Sequence, residues 1–283
     1  MPARTSITIR NKERNMSKLN QFIIYDELPL WSAPFGLTLL DTIRMRSHIN
    51  VLDIGSGSGF PMLELAERLG KTCTVYGLDP SQDAIEMIST KQELKEIYNA
   101  RIIKGVAEEI PFPDAYFGLI VANNGLNNVG DQQKALAECF RVSEKGAQMV
   151  LTMNLPHTMV EFYDVFEETL AEMGLQEEIS KMHDHIADKR KPVEYLKELI
   201  ISAGFAIKTI NVDGFRLRYN DGTSFFNHFF IRHAFLGPWK AILPESLAEK
   251  VFGNLEEKFN RMALQQGEIT MSIPFVCFDC SKP

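Results

Sequence analysis

Asp53 stands just before three alternating glycines in the run Val51-Leu52-Asp53-Ile54-Gly55-Ser56-Gly57-Ser58-Gly59. A short apolar run that ends this way reads as a buried strand turning into a helix. Glycine tolerates positive φ and lacks a Cβ, so the loop can double back and let a ligand lie close to the backbone. The spacing separates two ligand classes. A dinucleotide site wants G-x-G-x-x-G with a pyrophosphate on the helix N-terminus; here the third glycine comes one residue early, and Asp53 would repel a pyrophosphate while favouring a cation. A second carboxylate, Asp79, ends the run Cys73-Thr74-Val75-Tyr76-Gly77-Leu78, and at a strand's C-terminal end it can accept both hydroxyls of a ribose. Together the two motifs ask for a ligand with a ribose and a cationic group but no phosphate.

Imidazole, amide and thiol groups supply the remaining chemistry. The most aromatic segment, Ser224 to Leu236, reads first as a helix packing on the domain; its His228 and His233 are weak candidates for receiving a substrate proton in an otherwise apolar pocket. His183 and His185 are one residue apart, which on a helix points them well away from each other, and no nearby Cys or third His completes a tetrahedral set, so no metal is expected. Cys73, Cys139, Cys277 and Cys280 do not suggest a disulfide framework, and Cys277 and Cys280 lie in a strand-like run where residues three apart face opposite ways. Asn123-Asn124-Gly125 is a turn signal after an apolar run.

An alternating series of elements must position these groups. Phe60-Pro61 opens a helix that buries Met62, Leu63, Leu65, Ala66 and Leu69 and stops at Gly70. Leu37 to Arg46 reads as a helix before the first strand, Ser81 caps a helix through Ala84, Ile85 and Ile88, and Asp131 caps one carrying Ala135, Leu136, Cys139 and Phe140. Arg101 to Lys104, Phe117 to Ala122 and Ala147 to Met153 are strands. Helices follow over Glu161 to Met173, Glu177 to Lys189 and Pro192 to Ala203, then a strand over Phe205 to Val212. Strands alternating with helices predict an α/β fold with a doubly wound, mostly parallel sheet.

The ligand description fits S-adenosylmethionine, and the chain resembles the class I S-adenosylmethionine-dependent methyltransferases. Four motifs carry the resemblance in order: Val51 to Gly59, Val75 to Ser81, Gly105-Val106-Ala107-Glu108-Glu109-Ile110-Pro111-Phe112-Pro113-Asp114, and Leu119 to Asn124. The resemblance covers about residues 35 to 153, and within the superfamily the chain is most similar to the ubiquinone and menaquinone biosynthesis branch. The resemblance implies a cofactor site of Asp53, Gly55, Ser56, Gly57, Gly59, Asp79, Pro80, Ala107, Glu108 and Asn123, with Asn124 a further weak candidate at the acceptor. Phe22 to Trp31 resembles the flap that closes over the cofactor in related enzymes, with Tyr25 as its contact. Val106 stands where that branch usually has an acidic residue for the adenine amino group, leaving this task to Glu108 or a backbone carbonyl. Gly118 and Asn127-Asn128 also depart from the branch, so its acceptor chemistry does not carry over.

The resemblance further implies seven strands, the last, Ile269 to Phe278, antiparallel to the rest, with a helical lid built from insertions. The chain then divides into a flexible leader (1–20), the cofactor-binding half (21–154), a first lid insertion (155–191), the continuation of the sheet domain (192–212), a second lid insertion (213–268) and the final strand (269–283). Both insertions leave the sheet on the side where ligands bind.

Composition bounds the partners. With 283 residues, 45% of them hydrophobic, the chain can bury a large core. A formal net charge of −7 and a pI near 5.5 argue against a nucleic-acid groove. No apolar run approaches the roughly 18 to 20 residues of a membrane span, and the first 20 residues lack the apolar core of a secretory signal, so a cytoplasmic location is expected. The expected activity is methyl transfer from S-adenosylmethionine to a small, partly apolar molecule by in-line displacement. The alternative is a non-catalytic S-adenosylmethionine-binding regulatory protein or subunit. Neither the acceptor atom nor the oligomeric state is set by the sequence.

Overall fold

The computed structural model describes residues 29–283; Tyr25 and the rest of the flap up to Leu28 lie outside them. Strands β1 (Asn50–Ile54), β2 (Thr74–Asp79), β3 (Ala100–Lys104), β4 (Phe117–Asn123) and β5 (Ser143–Asn154) run parallel. With β6 (Ala206–Tyr219) and β7 (Ile269–Ser281) they form one seven-stranded sheet in the order β3-β2-β1-β4-β5-β7-β6. β7 is antiparallel to both of its neighbours, β5 and β6. Every residue of β4 is buried, as a central parallel strand covered on both faces requires.

Alternate strand residues feed two cores. Val51, Val75, Val121 and Val150 face α1 (Pro29–Thr42), α2 (Met62–Leu69) and α3 (Gln82–Lys95). Leu52, Ile54, Tyr76 and Ile120 face the opposite side, covered by α4 (Gln132–Val142) and α7 (Val193–Ser202). Ser81 accepts the Ala84 N–H at 3.3 Å and Asp131 the Lys134 N–H at 2.9 Å, so side chains satisfy first-turn donors of α3 and α4 and fix where these helices leave the sheet.

A third core stands over one edge of the sheet. β5 pairs with β7 only as far as Asn154 opposite Phe275, whereas β6 stays paired with β7 out to Tyr219 opposite Ile269. Residues 213–219 and 269–274 therefore project as a two-stranded ribbon past the C-terminal ends of the parallel strands, the edge where ligands bind in open α/β sheets. Phe215, Leu217, Ile269, Met271 and Ile273 on the ribbon pack with α5 (Val160–Glu172), α6 (Gln176–Lys189), α8 (Gly222–Asn227), α9 (Leu236–Lys240) and α10 (Glu245–Gln266).

Three sequence expectations change. The strand predicted to end at Val212 continues to Tyr219: Asp213-Gly214 looks like a turn, but the period-two alternation of half-buried Phe215, Leu217 and Tyr219 with exposed Arg216 and Arg218 continues the ladder. The first described helix starts at Pro29 rather than Leu37, because Phe35, fully buried in the third core, gives it an anchored face upstream. The aromatic segment is not one helix but α8, a π-helical turn over Ile231–Phe235 and α9. Phe225 and Phe226 lie in the third core, where Phe225 packs on Trp239 and Phe259 and Phe162 stacks on Trp239 at 3.8 Å. Among the described residues no helix is long and apolar enough to cross a membrane.

Candidate functional site

β1, β2 and β4 end side by side, and between β1 and β4 the sheet order reverses direction, which opens a crevice above the strand ends. Gly55 turns the chain there with φ 69°, and a Cβ on it would come within 2.8 Å of the Gly125 Cα. The two glycines thus bring the loop after β1 against the loop after β4. The Gly55 N–H donates to the Leu78 carbonyl at 2.8 Å, which ties the turn to β2. From there the Gly57 N–H reaches one oxygen of Asp79 at 2.8 Å, while the Ser81 N–H reaches the other at 2.9 Å. A carboxylate oxygen has more than one lone pair, so Asp79 is held in place by the backbone and keeps capacity for a ligand's hydroxyls.

These elements enclose a cavity of about 490 Å³, within the range of small-molecule sites. Its wall contains Gly55, Ser56, Gly57, Asp79, Pro80, Ala107, Glu108, Asn123 and Asn124, bringing together most of the residues singled out in the sequence. Val106, whose side chain offers no polar partner, lines it too. Glu108 is engaged elsewhere in part: one oxygen accepts the Gly130 and Asp131 N–H groups at 2.7 and 3.1 Å and pins the loop after β4. Trp31, Ser32, Phe60 and Val129 are among the further residues that line it and were missed as site residues. Phe60 had a signal in its place next to the glycine loop, and Trp31 in the flap-like segment.

Three other expectations, those for Asp53, Gly59 and the two histidines, fail on geometry. Asp53 is fully buried and does not line the cavity. Among the described residues neither of its carboxylate oxygens has a hydrogen-bond partner, and burial pushes its pKa up to about 8 against the opposing pull of the Met62 amide and the Ser56 hydroxyl, with nearby Asp79 adding to the rise. Gly59 also lies behind the wall; a Cβ there would meet Leu63 at 2.9 Å and Ile88 at 3.2 Å, so its smallness serves helix packing. His228 is half-buried against Tyr219, and exposed His233 stacks on Phe229 at 4.1 Å; neither reaches the cavity. Asn123 lines the cavity, yet its amide is spent inside the protein: Nδ2 donates to the Ser32 carbonyl at 3.1 Å and Oδ1 accepts the Thr152 hydroxyl at 2.9 Å.

Among the described residues the wall carries two carboxylates, Asp79 and Glu108, and no Lys or Arg. It is therefore a poor home for phosphate and a good one for a cation. A glycine turn without room for side chains, a strand-end carboxylate with spare acceptor capacity and an anionic wall fit S-adenosylmethionine, whose sulfonium and ammonium are cationic and whose ribose carries two hydroxyls. Fold and site together define the Rossmann-like class that binds this cofactor.

Comparison with known proteins narrows the class. A family described as "Methyltransferase domain" matches residues 45–199, from before β1 into α7. The ubiquinone/menaquinone biosynthesis C-methyltransferase UbiE of Psychromonas ingrahamii is 31% identical over 175 residues, 59% of this chain and 70% of that protein. The demethylmenaquinone methyltransferase of Listeria welshimeri is 34% identical over 107 residues, 38% of this chain and only 45% of that protein. Among solved structures, the YcgJ protein of Bacillus subtilis shares the fold, with a TM-score of 0.58 and 19% identity over 88% of this chain and 97% of that one. The chain belongs to the methyltransferase-domain family, as an S-adenosylmethionine-dependent methyltransferase.

Proposed function

We propose that this enzyme methylates a small, partly apolar molecule, held where the cavity meets the aromatic group around Trp31. The observation that supports this is the double position of Trp31. It lines the cavity and also packs on Phe35, Phe215, Phe230 and Phe235, with ring centroids 5.6, 6.0, 5.1 and 5.4 Å away. An apolar surface thus begins where the polar cofactor wall ends.

S-adenosylmethionine, when bound, supplies a methyl group made electrophilic by its sulfonium. Gly55, Ser56, Gly57, Asp79, Pro80, Ala107 and Glu108 are the residues to hold it; Asp79, oriented by the Gly57 and Ser81 N–H groups, takes the ribose hydroxyls. The remaining task is to align a nucleophile and exclude water, and Trp31, which lines the cavity with Phe35, Phe215, Phe230 and Phe235 packed behind it, offers the apolar surface for this. No histidine lines the cavity among the described residues, so the acceptor's nucleophile is one that needs little help from an imidazole base. The net charge of −7 and the anionic wall favour a small acceptor over a nucleic acid.

The test is incubation with labelled cofactor and an acceptor panel. The two relatives are named for ubiquinone/menaquinone biosynthesis and for demethylmenaquinone, so quinols and phenols head the panel. Cofactor consumption that depends on such an acceptor, with a product heavier by one methyl group, is the expected result. Turnover only with nucleic acid or protein would overturn the reading.

A further inference from the structure

Gly36 stands midway along α1, where glycine is a poorer helix former than alanine and so needs a reason. The reason is a ring. A Cβ on Gly36 would overlap Cε1 of Phe60, lie 2.5 Å from its Cζ and come within 3.2 Å of the Asn123 Nδ2. The missing side chain therefore makes a notch in α1 that receives the ring following the glycine loop of β1. Asn123, at the end of β4, ties the same helix one turn earlier by donating to the Ser32 carbonyl at 3.1 Å. Helix, glycine loop and strand end thus meet at one point.

Both sides of this junction lead into the cavity: Phe60 lines it, and so do Trp31 and Ser32 at the start of α1. Phe60 also lines a second cavity, of about 370 Å³, with Leu63 and Leu94. The half-buried ring borders open space on two sides and is kept from it by the notch. A ligand that fills the first cavity favours the seated ring, since it occupies space the ring would enter and packs on it only while it is seated. The seated ring in turn holds α1, and with it Trp31, in one position relative to the glycine loop, because close-packed junctions shift between discrete arrangements rather than continuously.

We infer that Gly36 and Phe60 couple the two halves of the site: cofactor packed against Phe60 holds the ring in its notch, the ring holds α1, and α1 sets Trp31 where the acceptor docks. Gly36 and Phe60 are positioning residues, with Asn123 as the second tie on the helix. The inference rests on the reading of this cavity as a methyltransferase site with the acceptor beside Trp31, and adds that the acceptor's place is completed by the bound cofactor. By linkage, an acceptor there tightens the cofactor by the same factor.

The test uses the full chain and the fluorescence of its two tryptophans. Trp239 is fully buried, so quenching by acrylamide reports Trp31. Saturating S-adenosylhomocysteine is expected to lower the quenching of wild-type Trp31 about fivefold. Phe60→Ala should still bind S-adenosylhomocysteine, more weakly, but leave Trp31 as accessible at saturation as in the free protein. Gly36→Ala should also lose the protection and weaken S-adenosylhomocysteine about tenfold as the evicted ring enters the cavity. That loss of affinity should vanish when Gly36→Ala is added to Phe60→Ala, where no ring remains to evict. Phe60→Ala only trims a half-buried side chain and carries the test even if Gly36→Ala does not fold. Protection of Trp31 that persists in Phe60→Ala is direct contact with the ligand and overturns the coupling, as does an equal loss of affinity from Gly36→Ala with and without the ring. Failure of the wild type to bind S-adenosylhomocysteine would instead overturn the cofactor reading of the cavity, and this inference with it.

Discussion

Asp53 and Asp79 stand near the ends of adjacent strands in opposite electrostatic situations, one buried with no hydrogen-bond partner for its carboxylate among the described residues and the other bonded to two backbone N–H groups. Asp53 has its pKa pushed up by burial to about 8 from 3.8. Between those values the folded protein keeps a proton that the unfolded chain has released. Stability is thus fully present below pH 3.8 and falls as pH rises towards 8, with a limiting slope on the order of 1.4 kcal/mol per pH unit. Asp53→Asn removes the titration, so the melting temperature of the ligand-free variant should gain on the wild type from pH 5 to pH 8; parallel curves over that range would mean that Asp53 is not held protonated. Asp79 makes the other prediction. Asp79→Ala deletes the acceptor proposed for the ribose hydroxyls and frees the Gly57 and Ser81 N–H groups, so calorimetry should show S-adenosylhomocysteine binding weaker by about 1.5–3 kcal/mol. Unchanged affinity would remove Asp79 from the site.

At the scale of elements, the crevice exists because two loops meet through glycines. A Cβ on Gly125 would overlap the Ile54 carbonyl, so the loop after β4 cannot close on the loop after β1 with any other residue there. Gly125→Ala should cost about 1–3 kcal/mol of stability in urea and lose most cofactor affinity. Gly253, in the middle of α10 with nothing near its missing Cβ, is the contrast: Gly253→Ala should stabilise by about 0.4–1 kcal/mol without touching binding. The elements around the crevice were legible in the sequence because their signals are local. An apolar run, an Asp, spaced glycines and a capping Ser81 or Asp131 lie within a few residues of one another. The far half of β6 was not legible, since Asp213-Gly214 imitates a turn and its pairing partner, Ile269 to Pro274, comes some fifty residues later. Asp53 shows the same limit at the site: type and spacing marked it as important, but only packing reveals that Ile54 and Ser56 reach the cavity wall while Asp53 does not.

The whole molecule is a cofactor sheet with a separately packed aromatic core above its ligand edge, and Trp31 joins the two. This division predicts two kinds of aromatic residue in what the sequence presents as one segment. Phe225 is fully buried among Phe162, Trp239 and Phe259 and does not line the cavity; Phe225→Ala should lower stability by about 3–5 kcal/mol through cavity formation. Any loss of turnover should then follow the loss of folded protein. Trp31 is only partly buried and faces the cavity, so Trp31→Ala should cost less stability but lower kcat/KM for an apolar acceptor by about tenfold, with S-adenosylhomocysteine affinity nearly unchanged. Urea unfolding, calorimetry and product mass on the two variants separate the cases. If Phe225→Ala changed acceptor preference in a fully folded protein while Trp31→Ala left it alone, the acceptor would lie deeper, within the layer of α5 and α8 to α10, and the cavity's aromatic rim would have no part in choosing it.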